Sequence, residues 1–205
     1  MAYNHFSITD LIQKLGLRVV EPRDLFAKVP PVAIDARLAW YLDESAPVGL
    51  DVSTEKSRSE MIVTPILLEA RRQRNREVSL FSGTEFAVDP ARGLTGFCDF
   101  LFSLSPTQLE IQAPVIAIVE AKNEDFRQGI PQCAAEMFAA RLFNDQRGQP
   151  LGTLYGAVTT GSNWRFLRLR GDEVEVDATE YYLSQIDRIV GVLIHMLAAQ
   201  AKTGS

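Results

Sequence analysis

Five consecutive apolar residues, Val115-Ile-Ala-Ile-Val119, lead without a break into Glu120-Ala121-Lys122. So apolar and β-branched a run predicts a strand buried on both faces, which loses the usual alternation. Side chains alternate along a strand, so Glu120 and Lys122 emerge on one face, with Cα atoms roughly 6.6 Å apart at about 3.3 Å per residue. Earlier runs at 78–81 and 96–104 read as two more strands, separated by turn-forming segments at 83–93 and 105–112. Residues 154–159 and 165–169 predict a hairpin about Gly161-Ser-Asn163, and 174–176 an edge strand.

Helical spacing appears between these runs. Ser7 caps a short helix over 8–15, with Asp10 in its first turn and Gly16 as the stop. Prolines 22, 30, 31 and 47 break any long element between 21 and 52, leaving room for a turn-rich helix over 33–42. Ser57-Arg-Ser-Glu60 fits a capping box opening a helix over 57–74, with a kink or short break at Pro65. Gly129-Ile-Pro131 opens another, continued by 132–144, with proline in its first turn. A last helix over 184–199 buries Ile186, Ile189, Val190, Leu193 and Leu197, and leaves Ile194 and Met196 as a second apolar surface.

The order is helix, three strands, helix, strands, helix. It predicts an α/β (α+β) fold, with a mixed central sheet of about five strands flanked by helices. Three segments follow: an N-terminal cover (1–52), a core (53–178) and a C-terminal helix (179–205) packing on the core or in a dimer.

Composition narrows the class. The chain has 205 residues, 46% hydrophobic and 23% charged, enough for one domain with an ordinary core and unlike a disordered protein. A net charge of −5 gives no overall field for nucleic acid, so such a partner needs a local basic patch. Cys98 and Cys133 sit in apolar surroundings without metal-ligand spacing and read as core residues of a reducing compartment. The N-terminus shows no targeting pattern, and the apolar run 189–199 is too short for a membrane span of about 20 residues. A soluble, cytoplasmic protein is expected.

Candidate chemistry gathers around the opening strand. Asp99 interrupts the apolar run Phe97-Cys-Asp-Phe-Leu-Phe102, and an unpaired carboxylate buried there would be expensive. On neighbouring strands Asp99 and Glu120 converge, and two carboxylates in one site need a cation or a shared proton. Oxygen ligands from two acids, completed by water and a backbone carbonyl, suit Mg²⁺. Lys122 would then orient a water or stabilise charge on an attacked phosphate. Glu69 and Glu60, nine residues apart, fall on opposite sides of an ideal helix, so only one can point inward. Glu136 shares a face with Gln132 one turn away, Glu124 and Asp125 read as solvated loop acids, and His5 and His195 are isolated.

Asp99, a 20-residue gap, Glu120-Ala121-Lys122 and then Gln132 on the following helix together resemble the PD-(D/E)XK nuclease superfamily. Gly156-Ala-Val-Thr-Thr-Gly161-Ser-Asn-Trp164-Arg-Phe166 is similar to the strand-turn-strand of type I restriction subunit nuclease domains. The resemblance covers residues 57–169, with one departure: Cys98, not proline, precedes Asp99, and proline there is often absent in the superfamily. It implies the three-layer restriction-endonuclease-like fold and a Mg²⁺-dependent endonuclease hydrolysing phosphodiester bonds, with Mn²⁺ as a substitute. Asp99, Glu120 and the Ala121 carbonyl would bind the metal, and Glu60 would hold a second metal or a water. Lys122 would position the nucleophilic water, and Gln132 would orient the phosphate or Lys122. The partner implied is nucleic acid, DNA first.

Arg71, Arg72, Arg74 and Arg76, with Arg165, Arg168 and Arg170, are the available phosphate contacts. Two other readings stand beside the nuclease. One is a catalytically silent nucleic-acid-binding or assembly module retaining the fold; the other is a structural homodimer joined through the C-terminal helix around Ile194 and Met196.

Overall fold

The computed structural model describes residues 2–123 and 126–198. Glu124, Asp125 and the predicted last helical residue, Ala199, lie outside the described residues. α1 (Ile8–Leu15) forms where the pattern puts it. Ser7 Oγ accepts the Asp10 N–H, Asp10 accepts the Ser7 N–H, and Gly16 ends the helix at φ 69°, which costs glycine no Cβ clash.

Two helices depart from expectation. α2 (Ala36–Val52) is capped by Asp35 and runs 17 residues, with Pro47 inside it. Pro47 removes one N–H bond to the carbonyl four residues back. The buried face of Leu38, Leu42, Ala46 and Gly49 outweighs that loss. Gly49 also lets α2 close on the next helix, since a Cβ there would stand 3.0 Å from Met61 Cβ.

That next helix starts at Glu55, with Thr54 rather than Ser57 as its cap. Thr54 Oγ1 accepts the Ser57 N–H and Ser57 Oγ accepts the Thr54 N–H. α3 (Glu55–Arg58) passes through a π-helical turn (Ser59–Val63) into α4 (Thr64–Gln73). This wider turn is the break expected at Pro65. The Thr64 N–H and hydroxyl both donate to the Ser59 carbonyl, and Pro65 falls in the first turn of α4, where a missing N–H matters least. A wider turn rotates less per residue. Glu60 and Glu69, opposite on an ideal helix, therefore line one cavity between α2 and α4.

The strands are β1 (Arg18–Val20), β2 (Ser79–Glu85), β3 (Phe97–Ser103), β4 (Val115–Ala121), β5 (Thr153–Thr159), β6 (Asn163–Arg170), β7 (Glu173–Val176) and β8 (Tyr181–Tyr182). They form one mixed sheet in the order β1-β7-β6-β5-β4-β3-β2, with β8 on β6. Eight strands replace the expected five or so. β1 and β8, at three and two residues, are too short to show a period. β7 is not an edge, because β1 pairs parallel beyond it. Residues 1–52 thus add a strand to the sheet as well as covering it.

β2, β3 and β4 form an antiparallel meander. β4 then pairs parallel with β5, which needs a crossover, and α5 (Phe126–Gln146) supplies it. α5 starts earlier than expected, so Pro131 lies in its second turn. α1 and α5 cover one face of the sheet. α2, α4 and α6 (Ile186–Ala198) cover the other, making three layers. Met196 is fully buried in this second core, and Ile194 packs partly against it and stays half-buried, so of the two residues behind the homodimer expectation only Ile194 keeps exposed surface. Among the described residues no helix is long and apolar enough to cross a membrane. Cys98 and Cys133 are both free and buried.

Asn144 ties α5 to the start of β4. Fully buried, it accepts the Val115 N–H and donates to the Val115 carbonyl, both at 2.8 Å. Asn144→Ala leaves two buried backbone groups without partners and should cost about 2–4 kcal/mol. Urea unfolding reads this as a lowered midpoint; an unchanged midpoint would show that water replaces the amide.

Candidate functional site

The β3–β4 ladder pairs Phe100 with Val119 and Leu101 with Ile118. Continued by one residue, this register sets Asp99 opposite Glu120. The Asp99 carboxylate accepts the Ala121 N–H at 2.8 Å, so the acid is partnered by strand backbone. Glu120 is 1% exposed, and Lys122 Nζ donates to its Oε1 at 2.6 Å. The Lys122 N–H donates to the Thr159 carbonyl, which continues the β4–β5 pairing past the strand end. Asp99, Glu120, Lys122 and Gln132 line one cavity of about 340 Å³. The fold brings these four together.

α5 approaches this strand closely. Gly129 makes room, since a Cβ there would stand 2.5 Å from Val158 Cγ1 and 3.0 Å from Lys122 Cγ. One turn on, Gln132 Nε2 donates to Glu136 Oε1 at 3.1 Å, and Glu136 is fully buried. Oε2 of Glu120 and Oε2 of Glu136 are both buried without a hydrogen-bond partner among the described residues.

Electrostatics follow from this crowding. Burial pushes the Glu120 pKa well up, and Glu136 and Asp99 add to it against the pull of Lys122. Burial likewise pushes Glu136 up to about 8. Glu120 has an ammonium beside it and Glu136 has only the Gln132 amide and the Cys98 thiol, so of the two carboxyls Glu120 has the stronger support for its charged form. Burial opposes the charge on Lys122, yet Glu120, with Glu55 and Asp99, holds its pKa above the ordinary lysine value.

Not every expected residue joins. Glu60 is exposed and pairs with Lys56 at 3.4 Å. It shares a neighbouring cavity with Asp99 but does not line the one holding Glu120 and Lys122. Glu69 is committed elsewhere, accepting from Arg72 twice and from Gln73. Glu55 lines both cavities instead. Reading Thr54 as the cap would have brought it forward. Ala2, Tyr3 and Asn4 form another wall. Tyr3 is held by its hydroxyl donating to the Phe86 carbonyl and by its ring against Gly96, where a Cβ would come within 3.0 Å.

The arginines at the end of α4 engage the chain itself. Arg71 donates to the Val78 carbonyl, Arg72 pairs with Glu69 and Asp35, and Arg74 with Glu77. They lie roughly 10 Å or more along the helix from Thr64, which borders the Asp99 cavity. Arg165 and Arg168 pair with Glu180 and Glu175.

A hard divalent cation fits part of this donor set. Glu120 offers a buried, unpartnered carboxylate oxygen, and Asp99 and the Ala121 carbonyl are oxygen donors of the kind Mg²⁺ prefers. Among the described residues no three His, Cys, Asp or Glu side chains group to hold a metal ion. The fit is thus to two carboxylates and a carbonyl. Comparison with family models, curated proteins and solved structures finds no match for this chain.

Proposed function

We propose that this protein is a divalent-metal-dependent nuclease of the restriction-endonuclease-like, PD-(D/E)XK kind. The observation that carries the reading is Glu120: a carboxylate 1% exposed, with one oxygen on Lys122 and the other unpartnered, in a cavity shared with Asp99. Such a group is costly unless a cation or a reaction uses it. The order α4, β2, β3, β4, α5, β5, with β4 and β5 parallel, supports the same reading.

Asp99, Glu120 and the Ala121 carbonyl would hold Mg²⁺ or Mn²⁺. The bound ion supplies Lewis-acid polarisation of a phosphoryl oxygen and lowers the pKa of a coordinated water. Lys122, kept charged by its acidic neighbours, donates hydrogen bonds to the attacking water or to the phosphate oxygens as charge develops. Glu55 and the wall formed by Ala2, Tyr3 and Asn4 bound the cavity in which the phosphodiester sits. DNA is the first substrate to try.

Purified protein incubated with plasmid, single-stranded DNA and RNA should cleave at least one with Mg²⁺ or Mn²⁺ and none with EDTA. Metal-independent cleavage would sink the reading. A second reading, a catalytically silent module that keeps the fold, has two observations in its favour. The Lys122 ammonium already neutralises Glu120, and no three-acid cage is formed among the described residues. That reading predicts no cleavage and no heat of Mg²⁺ binding in calorimetry.

A further inference from the structure

The proposed reaction accounts for Glu120 and Lys122 but leaves Glu136 unused. Glu136 is a carboxyl with no exposure, on the helix face toward the site, and its Oε1 accepts from Gln132 Nε2 while the Cys98 thiol lies beside the carboxyl. Gln132 itself borders the cavity and is 7% exposed. An amide in that position can turn either end to a ligand, because Oε1 and Nε2 are nearly the same size. The 3.1 Å bond turns the Nε2 end to Glu136. One of the two Nε2 N–H groups is committed to Glu136 Oε1, which leaves Gln132 Oε1 as the acceptor, with the second N–H beside it.

We infer that Glu136 is a positioning residue that fixes the Gln132 amide so that Gln132 presents its carbonyl oxygen, an acceptor, to the reacting groups. This deepens the nuclease reading and rests on it. An acceptor suits a partner that carries protons, either the Lys122 ammonium, which lines the same cavity, or the attacking water. It does not suit the oxygens of the phosphate. The carbonyl end of Gln132 is thereby assigned to the nucleophile or to Lys122. Loss of its orientation should lower kcat and leave KM nearly unchanged.

Two variants separate positioning from packing. Glu136→Met keeps the length and apolar contacts of the side chain but removes the acceptor. Glu136→Gln restores an acceptor at the same place. Expected are a kcat of Glu136→Met at least about tenfold below wild type with KM within about threefold, and recovery of most of the rate in Glu136→Gln. Equal kcat in Glu136→Met and wild type, at similar melting temperatures, overturns the inference. So does a rise in KM alone, which would make Gln132 a substrate contact. A wild-type protein that cleaves nothing overturns the nuclease reading instead, and the side-chain amide of Gln132 then decides the positioning. NMR should show its N–H protons slowed in solvent exchange in wild type and Glu136→Gln and fast in Glu136→Met. Equal exchange in all three overturns it.

Discussion

Lys122→Ala is expected to lose metal-dependent phosphodiester hydrolysis by roughly 10²–10³-fold, the scale on which removing one preorganised donor to a developing charge acts. The variant should still fold, because Lys122 is a strand-end residue whose backbone N–H bond to the Thr159 carbonyl survives the substitution. Its stability will nevertheless fall. Glu120 would be left 1% exposed with no ammonium at 2.6 Å, and breaking a buried pair from one side costs about 3–5 kcal/mol when the remaining charge cannot escape. Glu120 can escape by taking up a proton, so the loss should be small near pH 5 and grow toward pH 9. Cleavage rates with Mg²⁺, beside urea melts at both pH values, separate chemistry from folding. Activity at the wild-type rate in folded Lys122→Ala would remove lysine from the mechanism. Activity restored by Lys122→Arg would point to charge rather than proton transfer.

Glu136→Gln should change how stability depends on pH. In the folded protein burial holds the Glu136 pKa at about 8, against roughly 4.3 for an unfolded glutamate. Between these values the folded state binds the extra proton, so stability falls as pH rises from about 4.5 to about 8 and levels off above. Glu120, also pushed up by burial, adds the same sign. The groups that face Glu136 set the size of the effect. Asp99 and Glu120 oppose its ionisation, the Gln132 amide, Lys122 and the Cys98 thiol favour it, and Tyr3 lies near it. Glutamine keeps the shape of the neutral acid and has nothing to titrate. The variant should match wild type near pH 5 and exceed it at pH 9 by on the order of a few kcal/mol. Urea midpoints at the two pH values measure this. Parallel pH profiles for the two proteins would mean that Glu136 is charged in the folded state and solvated by water the cavity admits.

These two experiments address different links. The first asks whether the cavity does chemistry; the second asks only whether a carboxyl is buried there. A protein that passes the second and fails the first would be the silent module that keeps the fold.

Much of the molecule follows from local pattern. The capped helix at 8–15, the strands around Leu80, Asp99 and Val119 and the hairpin about Gly161-Ser-Asn163 all form near their expected positions. Each is long enough for periodicity or bounded by residues with strong local preferences, so local energetics suffice. Asp99, Glu120 and Lys122 were legible for a related reason. A charge inside or at the end of an apolar run has no cheap explanation, and it stands out before any fold is known.

Other features needed distant parts of the chain to meet. α2 runs through Pro47 because Gly49 and Ala46 bury against the following helix, a tertiary gain that no local rule against proline contains. Glu60 sits in a π-helical turn, and Glu55 rather than Glu60 borders the Glu120 cavity; a change of one residue in helical pitch is invisible to a count at 100° per residue. β1 and β8 exist only because β7 and β6 offer them free edges. The raised pKa of Glu136 was decided by burial. On the helix it shares a face with Gln132, which the spacing shows, but that this face packs against β4 so tightly that a carboxyl must keep its proton depends on α5 lying across the sheet. The sequence determined which residues could do chemistry; the packing of α5 on β4 decided which of them stand together and in which charge state.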